Sequence, residues 1–169
     1  MLVILAYVLI GFGLGKRCFD VFGHDSGDMA AFDHMMWHSS HGRLFHCSVM
    51  LYDEHTKPVS MLALHSSYFW VFLMPVYALF PGMTTLLFLQ SLALGLAAIP
   101  MYLIVRWAFQ NEWAAVFFST AFLLLPPVIS QHVNQVEEPS FLPVFLLYVF
   151  LFFLQRRFGA FLLMALVSC

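Results

Sequence analysis

Long apolar stretches separated by one polar segment restrict this chain to few folds. The clearest cover residues 83–105, 113–129 and 139–154, and a shorter one covers 1–14. A helix needs about 20 apolar residues to cross the hydrocarbon core of a bilayer. Charged residues make up 9% of the chain, against about 25% in soluble domains. The sequence therefore predicts an all-α, polytopic membrane helical bundle.

Charge and cysteine content exclude other classes of protein. The seven basic residues are scattered and form no patch, so nucleic acid is not an expected partner. The three cysteines, Cys18, Cys47 and Cys169, have neither the pairing of a disulfide framework nor the spacing of a zinc site.

The first half of the chain divides into three segments. Residues 1–15 predict a shortened first transmembrane helix, because no basic residues precede the apolar run as they do in a signal peptide. Residues 16–58 are polar and too long for a turn, so we expect them to contain their own helices. Residues 59–81 are apolar, but their polar triplet His65–Ser67 and Pro75 are unusual in a simple span.

Residues 83–169 predict further transmembrane helices, the last of them truncated. The final apolar run, 158–167, is too short to cross a bilayer. We therefore expect the chain to be the N-terminal part of a longer protein, or a truncated copy of one. Arg106 and Arg156–Arg157 lie two spans apart, which predicts that they share the cytoplasmic face. Charge alone leaves open whether 59–81 crosses the membrane, and so which side 16–58 occupies.

Acidic and histidine side chains are concentrated in residues 26–43, where the spacing predicts a short amphipathic helix. Met29, Phe32 and Met36 form one apolar stripe, and His34, His38 and His41 follow one another on another face. Asp28 suits either a position near a helix N-terminus, with Asp25 as the cap, or a catalytic acid. His34 and His38, four residues apart, can be an ordinary polar face or metal ligands.

Two further polar groups have both an ordinary and a functional interpretation. His65, Ser66 and Ser67 are either a polar entry to a helix or a first turn that meets a phosphate. Glu137 and Glu138 precede Pro139, which is a normal start of a helix. The same two acids could also bind a cation or a sugar hydroxyl.

Two blocks of the chain resemble a family of prokaryotic membrane proteins, the domain-of-unknown-function 2079 family. FDHMMWHSSHGRLF (32–45) is similar to its FDxxxWxxxxGRxF block, and PVYALFP (75–81) is similar to its PxYALFP block. Glu138 and Pro143 match an acid-x4-Pro spacing, and the likeness runs from about Gly27 to Arg157. The family in turn resembles GT-C glycosyltransferases, which use sugars carried on polyprenyl phosphate.

The resemblance implies a GT-C-like bundle in the cytoplasmic membrane, with amphipathic juxtamembrane helices in the first outer loop. Residues 16–58 would then be extracytoplasmic, and 59–81 a juxtamembrane or re-entrant helix. The implied partners are membrane lipid and a polyprenyl-phosphate-linked sugar. The implied roles are a general base, a lipid-phosphate or substrate site and an optional divalent metal ion as cofactor. Asp28 is the first choice for the base and Asp33 the second; Arg43, His65 and Glu138 are the binding residues.

The chain departs from the family pattern at several of these positions. The His65 segment lacks the expected proline, and His34 and His38 replace amide side chains. The histidine face of His34, His38 and His41 favours a non-enzymatic alternative, a transporter or assembly subunit whose polar segment is a docking face or a metal-binding loop with His34 and His38 as ligands. A further alternative is an inactive fragment.

Overall fold

A computed structural model describes residues 1–24, 26–49, 59–63 and 68–168. Helices dominate, as the apolar pattern predicts: α1 (Leu2–Asp20), α2 (Ser26–Ser40), α3 (Trp70–Leu79), α4 (Met83–Leu96), α5 (Ala98–Phe109), α6 (Glu112–Leu123), α7 (Pro126–Ser130), α8 (Leu142–Leu154) and α9 (Phe158–Val167). Short 3₁₀ helices cover Met61–Ala63 and Glu138–Ser140. The all-α class is confirmed, with one small exception. Strands β1 (His46–Cys47) and β2 (Val59–Ser60) pair antiparallel, His46 opposite Ser60.

Two helical stretches are long and apolar enough to cross a membrane, Leu2–Asp20 and Met83–Phe109. The helix of the first stretch continues to Asp20, beyond the boundary predicted at residue 15. The second stretch consists of α4 and α5, which meet at Ala97. This junction lies near Pro100, which has no amide hydrogen to donate to the carbonyl four residues earlier.

Helix α3 is too short for a crossing. Its 10 residues extend about 15 Å, half the thickness of a bilayer core of about 30 Å. Pro75 lies inside the helix, which continues to Leu79. This length fits the predicted juxtamembrane or re-entrant helix.

The predicted apolar run 113–129 is interrupted, as its two prolines suggest. Helix α6 begins after Asn111, whose side chain accepts a bond from the Ala114 amide at 3.1 Å. It ends at Leu123, and Leu125 is extended, the conformation favoured before a proline. The chain then continues through α7 and an irregular segment up to Glu137.

The main core lies between α2, α3 and α4. The predicted stripe of Met29, Phe32 and Met36 is buried. Phe32 stacks on Trp70 of α3 with the ring centroids 5.0 Å apart. Leu86 of α4 belongs to the same buried cluster. Apolar packing therefore fixes α2 against α3 and α4.

Candidate functional site

A polar cavity of about 280 Å³ lies between the turn after α1 and the irregular segment that precedes α8. Its size is near the lower end of ligand pockets, about 300 Å³, so it suits a small polar group. The residues around it are mostly polar and belong to two distant parts of the chain: Gly23, His24, Gln131, Val133, Asn134, Gln135 and Glu137.

Asp28 joins this cavity through Gln135. Gln135 Nε2 donates a hydrogen bond to Asp28 Oδ2 at 2.9 Å and another to Glu137 Oε1. One amide group therefore holds two carboxylates together, although Gln135 and Asp28 are 107 residues apart in sequence. Each carboxylate retains lone pairs for further donors. The pair can accept hydrogen bonds from ligand hydroxyls, and either carboxylate can accept a proton.

The position of Asp28 follows from the start of α2. It lies in the first turn of that helix, where a negative charge interacts favourably with the unpaired N–H groups and the helix dipole. This interaction is a structural reason for an acid at this position. The bond from Gln135 supplies a second, tertiary reason, because it turns the carboxylate towards the cavity residues.

His24 supplies a ring nitrogen to the same region. Its Nε2 donates to the carbonyl of Gly15 at 3.1 Å, which leaves Nδ1 as the acceptor nitrogen. Nδ1 is buried and has no partner among the residues that the structure describes. A ligand hydroxyl in the cavity would satisfy it.

His132 anchors the segment that carries Gln135 and Glu137. It is 3% exposed, and its Nδ1 lies within hydrogen-bonding distance of Ser91 Oγ, at 3.1 Å. Its ring occupies the space over Gly11 of α1, and a Cβ at Gly15 would lie 2.7 Å from its carbonyl oxygen. The two glycines, one helical turn apart, therefore let the irregular segment approach α1 closely.

Gln131 strengthens this anchor from the other side. Its carbonyl accepts a bond from Gln90 of α4, and its side-chain oxygen accepts one from Ser140 at 2.7 Å. Buried backbone without regular secondary structure requires such internal partners. The segment is thus fixed to α1, α4 and the 3₁₀ helix before it reaches Asp28.

Asp33, the second predicted catalytic acid, is not part of this cavity. Tyr77 of α3 donates to its Oδ1 at 2.6 Å and to its backbone oxygen at 3.2 Å. Burial and the hydrogen bond to Asp33 raise the pKa of the Tyr77 phenol, so the hydroxyl stays protonated and donates. Asp33 therefore ties α2 to α3, whereas Asp28 accepts a hydrogen bond from Gln135, which lines the cavity.

The predicted binding residues are dispersed. Arg43 is exposed beyond the C-terminal end of α2, and Ser40 alone is already about 18 Å along the helix axis from Asp28. Glu138 is half-buried in the 3₁₀ helix, and its neighbour Glu137 is the acid that meets Gln135. His65 lies outside the described residues, so its predicted phosphate role stays a prediction.

The two predicted metal ligands lie together on α2. Nε2 of His34 and Nε2 of His38 are 3.1 Å apart. His41, the third histidine of the predicted face, is instead stacked on Trp37, with its Nδ1 2.8 Å from the Trp37 carbonyl. Within the described parts of the chain, no three His, Cys, Asp or Glu side chains lie where they could hold a metal ion together.

Sequence reasoning did not identify Gln135, His132 or the Gly11–Gly15 pair. Two signals were present: the glycine spacing in an apolar helix, and the polar run QHVNQVEE (131–138) after the interrupted span. Such glycines usually indicate close contact with a second helix. Here the neighbour is an irregular segment.

Comparison with known proteins identifies one family. A family model described as "Predicted membrane protein (DUF2079)" matches residues 26–167. No curated protein matches the chain, and no solved structure does.

Proposed function

This chain belongs to the DUF2079 family of predicted membrane proteins, and we propose that it is a glycosyltransferase of the GT-C type. It would move a sugar from a polyprenyl-phosphate donor in the cytoplasmic membrane to an acceptor hydroxyl outside the cell. The observation that carries the proposal is the Gln135 bridge, which joins Asp28 to Glu137 beside a polar cavity.

The reaction requires one base and one group that neutralises the leaving phosphate. The acceptor oxygen attacks the anomeric carbon of the sugar while the bond from that carbon to the phosphate oxygen breaks. Asp28 takes the proton of the acceptor hydroxyl, and polyprenyl phosphate leaves with the bonding electrons. Glu137 and Gln135 orient the sugar hydroxyls by hydrogen bonding. A well-positioned base contributes roughly 10²–10⁴ in rate.

The leaving phosphate is assigned to His65 or to a divalent metal ion, because developing charge needs a fixed partner. Arg43 is a weaker candidate than the sequence suggested. It lies beyond the opposite end of α2 from Asp28, at least about 18 Å along the axis. A role for Arg43 at the lipid phosphate would require the donor to span that distance.

The test compares two matched acids of α2. Purified protein in liposomes is given a synthetic polyprenyl phosphate carrying a radiolabelled hexose, and released polyprenyl phosphate is measured with simple sugars as acceptors. Asp28→Asn should fold normally and lose about 10²–10⁴ in turnover. Asp33→Asn should retain turnover, because Asp33 is held by Tyr77. Equal turnover in Asp28→Asn and the unmodified protein removes Asp28 from the role.

The proposal also requires residues 16–58 to be extracytoplasmic. In a background without Cys18, Cys47 and Cys169, we expect an impermeant thiol reagent to label His41→Cys in intact cells. Gln110→Cys, in the turn between α5 and α6, should be labelled only after permeabilisation. The reverse pattern would put Asp28 on the cytoplasmic side and exclude the proposed chemistry.

A transporter is the second candidate, and the interrupted span favours it. Broken helices that expose backbone groups inside a bundle are common at transporter binding sites. Helix α6 ends at Leu123, before two prolines, and the buried His132 lies in the irregular segment that follows α7. Uptake of a small solute into proteoliposomes that depends on His132, with no hydrolysis or transfer of lipid-linked sugar, would favour this function.

A further inference from the structure

The side chain of Glu137 does not cap the helix that follows it. The sequence allowed the ordinary interpretation of a helix start, but this side chain makes no capping hydrogen bond to the 3₁₀ helix. It is half-buried and accepts a hydrogen bond from Gln135 instead. The ordinary interpretation therefore leaves the charge of Glu137 unexplained.

Two carboxylates meet at Gln135 without a basic side chain beside them. Gln135 Nε2 donates to both Glu137 and Asp28, which places the two acceptor oxygens at most about 6 Å apart. The N-terminus of α2 stabilises the charge of Asp28. Within the described part of the chain, Lys16 and Arg106 pair with other acids, and no lysine or arginine lines the cavity. Withdrawing a charge from water without a partner costs free energy, so we expect the ligand to supply the positive charge.

Two further acceptor atoms at this cavity lack donors. Gln135 Oε1 and His24 Nδ1 are buried and have no partner among the residues that the structure describes. Both residues line the cavity, as Glu137 does. The cavity residues therefore provide three acceptors that need donors, and one of the three is anionic.

An ammonium group matches this set of acceptors. It carries three N–H donors, one positive charge and no acceptor. A sugar hydroxyl supplies one donor and leaves the charge of Glu137 uncompensated. We propose that the ligand of the polar cavity is a sugar with a protonated primary amine, whose ammonium group pairs with Glu137. This substrate class rests on the proposed function, in which the sugar that is moved would be an amino sugar.

The competing explanation is a proton shared between the two carboxylates, which relieves their repulsion without a ligand. The two explanations differ in one measurable property. An ammonium site distinguishes an amino sugar from the same sugar with a neutral substituent, whereas a protonated carboxylate pair does not.

The experiment compares glucosamine with N-acetylglucosamine, which has the same ring but an uncharged amide in place of the ammonium group. Binding to the purified, detergent-solubilised protein is measured by saturation-transfer NMR. We expect glucosamine to bind at least about tenfold more tightly, as one hydrogen bond to a charged group contributes. This comparison uses the unmodified protein and needs no variant.

Glu137→Gln should abolish the preference for glucosamine, because it keeps the shape of the side chain and removes the charge. Asp33→Asn is the matched control and should retain the preference, since Tyr77 holds Asp33 away from the cavity. Equal binding of the two sugars, no detectable binding of either, or a preference that Glu137→Gln leaves unchanged would overturn the ion pair.

A transfer assay separates this inference from the proposed function. Polyprenyl phosphate that carries an amino hexose should be turned over at least about tenfold faster than the same carrier with a neutral hexose. Equal turnover of the two lipids would refute the inference and leave the transferase function intact. A preference for glucosamine that depends on Glu137, with neither lipid turned over, would support the ion pair and refute the transferase.

Discussion

Helices α2 and α9 distribute their apolar side chains in opposite ways. In α2, the most polar helical segment of the chain, Met29, Phe32, Met35 and Met36 are at most 3% exposed. In α9, which is almost entirely apolar, no residue is buried, and Leu166 is 71% exposed. The helix with polar residues therefore has the tighter protein packing, whereas α9 packs along α8 without burying any of its residues.

This contrast is the reverse of a soluble protein, and it is the contrast expected between a helix in lipid and a helix at a water boundary. Lipid chains are as apolar as leucine, so a membrane helix gains little by hiding leucines from them. A helix at the water boundary gains free energy by burying its apolar stripe. The exposed apolar surface of α9 fits the membrane character of the family, and the buried stripe of α2 builds a rigid support for Asp28.

The sharpest test of the contrast uses the same substitution in both regions. Phe32→Ala removes a fully buried ring that stacks on Trp70 and should destabilise the protein by about 3–5 kcal/mol. Phe158→Ala, at a side chain 60% exposed, should change stability by less than about 0.5 kcal/mol. Thermal unfolding in lipid bicelles measures both. Similar losses for the two variants would show that α9 is packed as tightly as α2.

The next test concerns the contact that positions the irregular segment. Gly11→Ala introduces a Cβ that overlaps the ring of His132 and should cost about 1–3 kcal/mol, as overpacking does. Gly13→Ala is the control on the same helix. No atom lies within 4 Å of its added Cβ, so helix propensity should make it neutral or stabilising by up to about 1 kcal/mol.

Hydrogen exchange extends this test from stability to the site. In Gly11→Ala, amides of residues 131–137 should lose protection, since His132 anchors that segment. Unchanged exchange there would mean that the contact of His132 with α1 is not needed to hold the segment. The hydrogen bonds from Gln90 and Ser140 to Gln131 would then suffice.

The smallest expected effect is a pH dependence of local stability, confined to the region of α2 and β1. The lowered pKa of His38 means that the folded state binds its proton less readily than the unfolded chain, whose ordinary value is 6.5. The contribution of neutral His38 to the free energy of unfolding is fully present above about pH 6.5. It is lost as the pH falls through the pKa of His38 in the folded protein. Solvent screening keeps the effect modest.

Amide protection in α2 should therefore decrease from about pH 7.5 to about pH 5.5, after correction for intrinsic exchange. His38→Asn should reduce this decrease, while α9 shows none in either protein. A decrease of the same size in His38→Asn would assign the pH dependence to other groups.

Local signals in the sequence determined the class of the protein and most of its helices. Apolar composition predicted the all-α membrane fold, the three-to-four residue period predicted the buried stripe of α2, and Pro126 predicted the interrupted span. The family blocks were also sufficient to identify the family. The predicted resemblance covers about 27–157, and the model of the same family matches residues 26–167. Each of these signals lies within one short stretch of chain.

Only the tertiary structure decided which polar residues meet. Asp28 is hydrogen-bonded to Gln135, and Asp33 is hydrogen-bonded to Tyr77. The ring of His38 contacts the ring of His46 rather than that of His41. These contacts depend on the rotation of one element against another, and on Gly11 and Gly15 admitting His132. Local periodicity identifies the face of a helix that is buried, but the partner on that face is set by packing between residues distant in sequence.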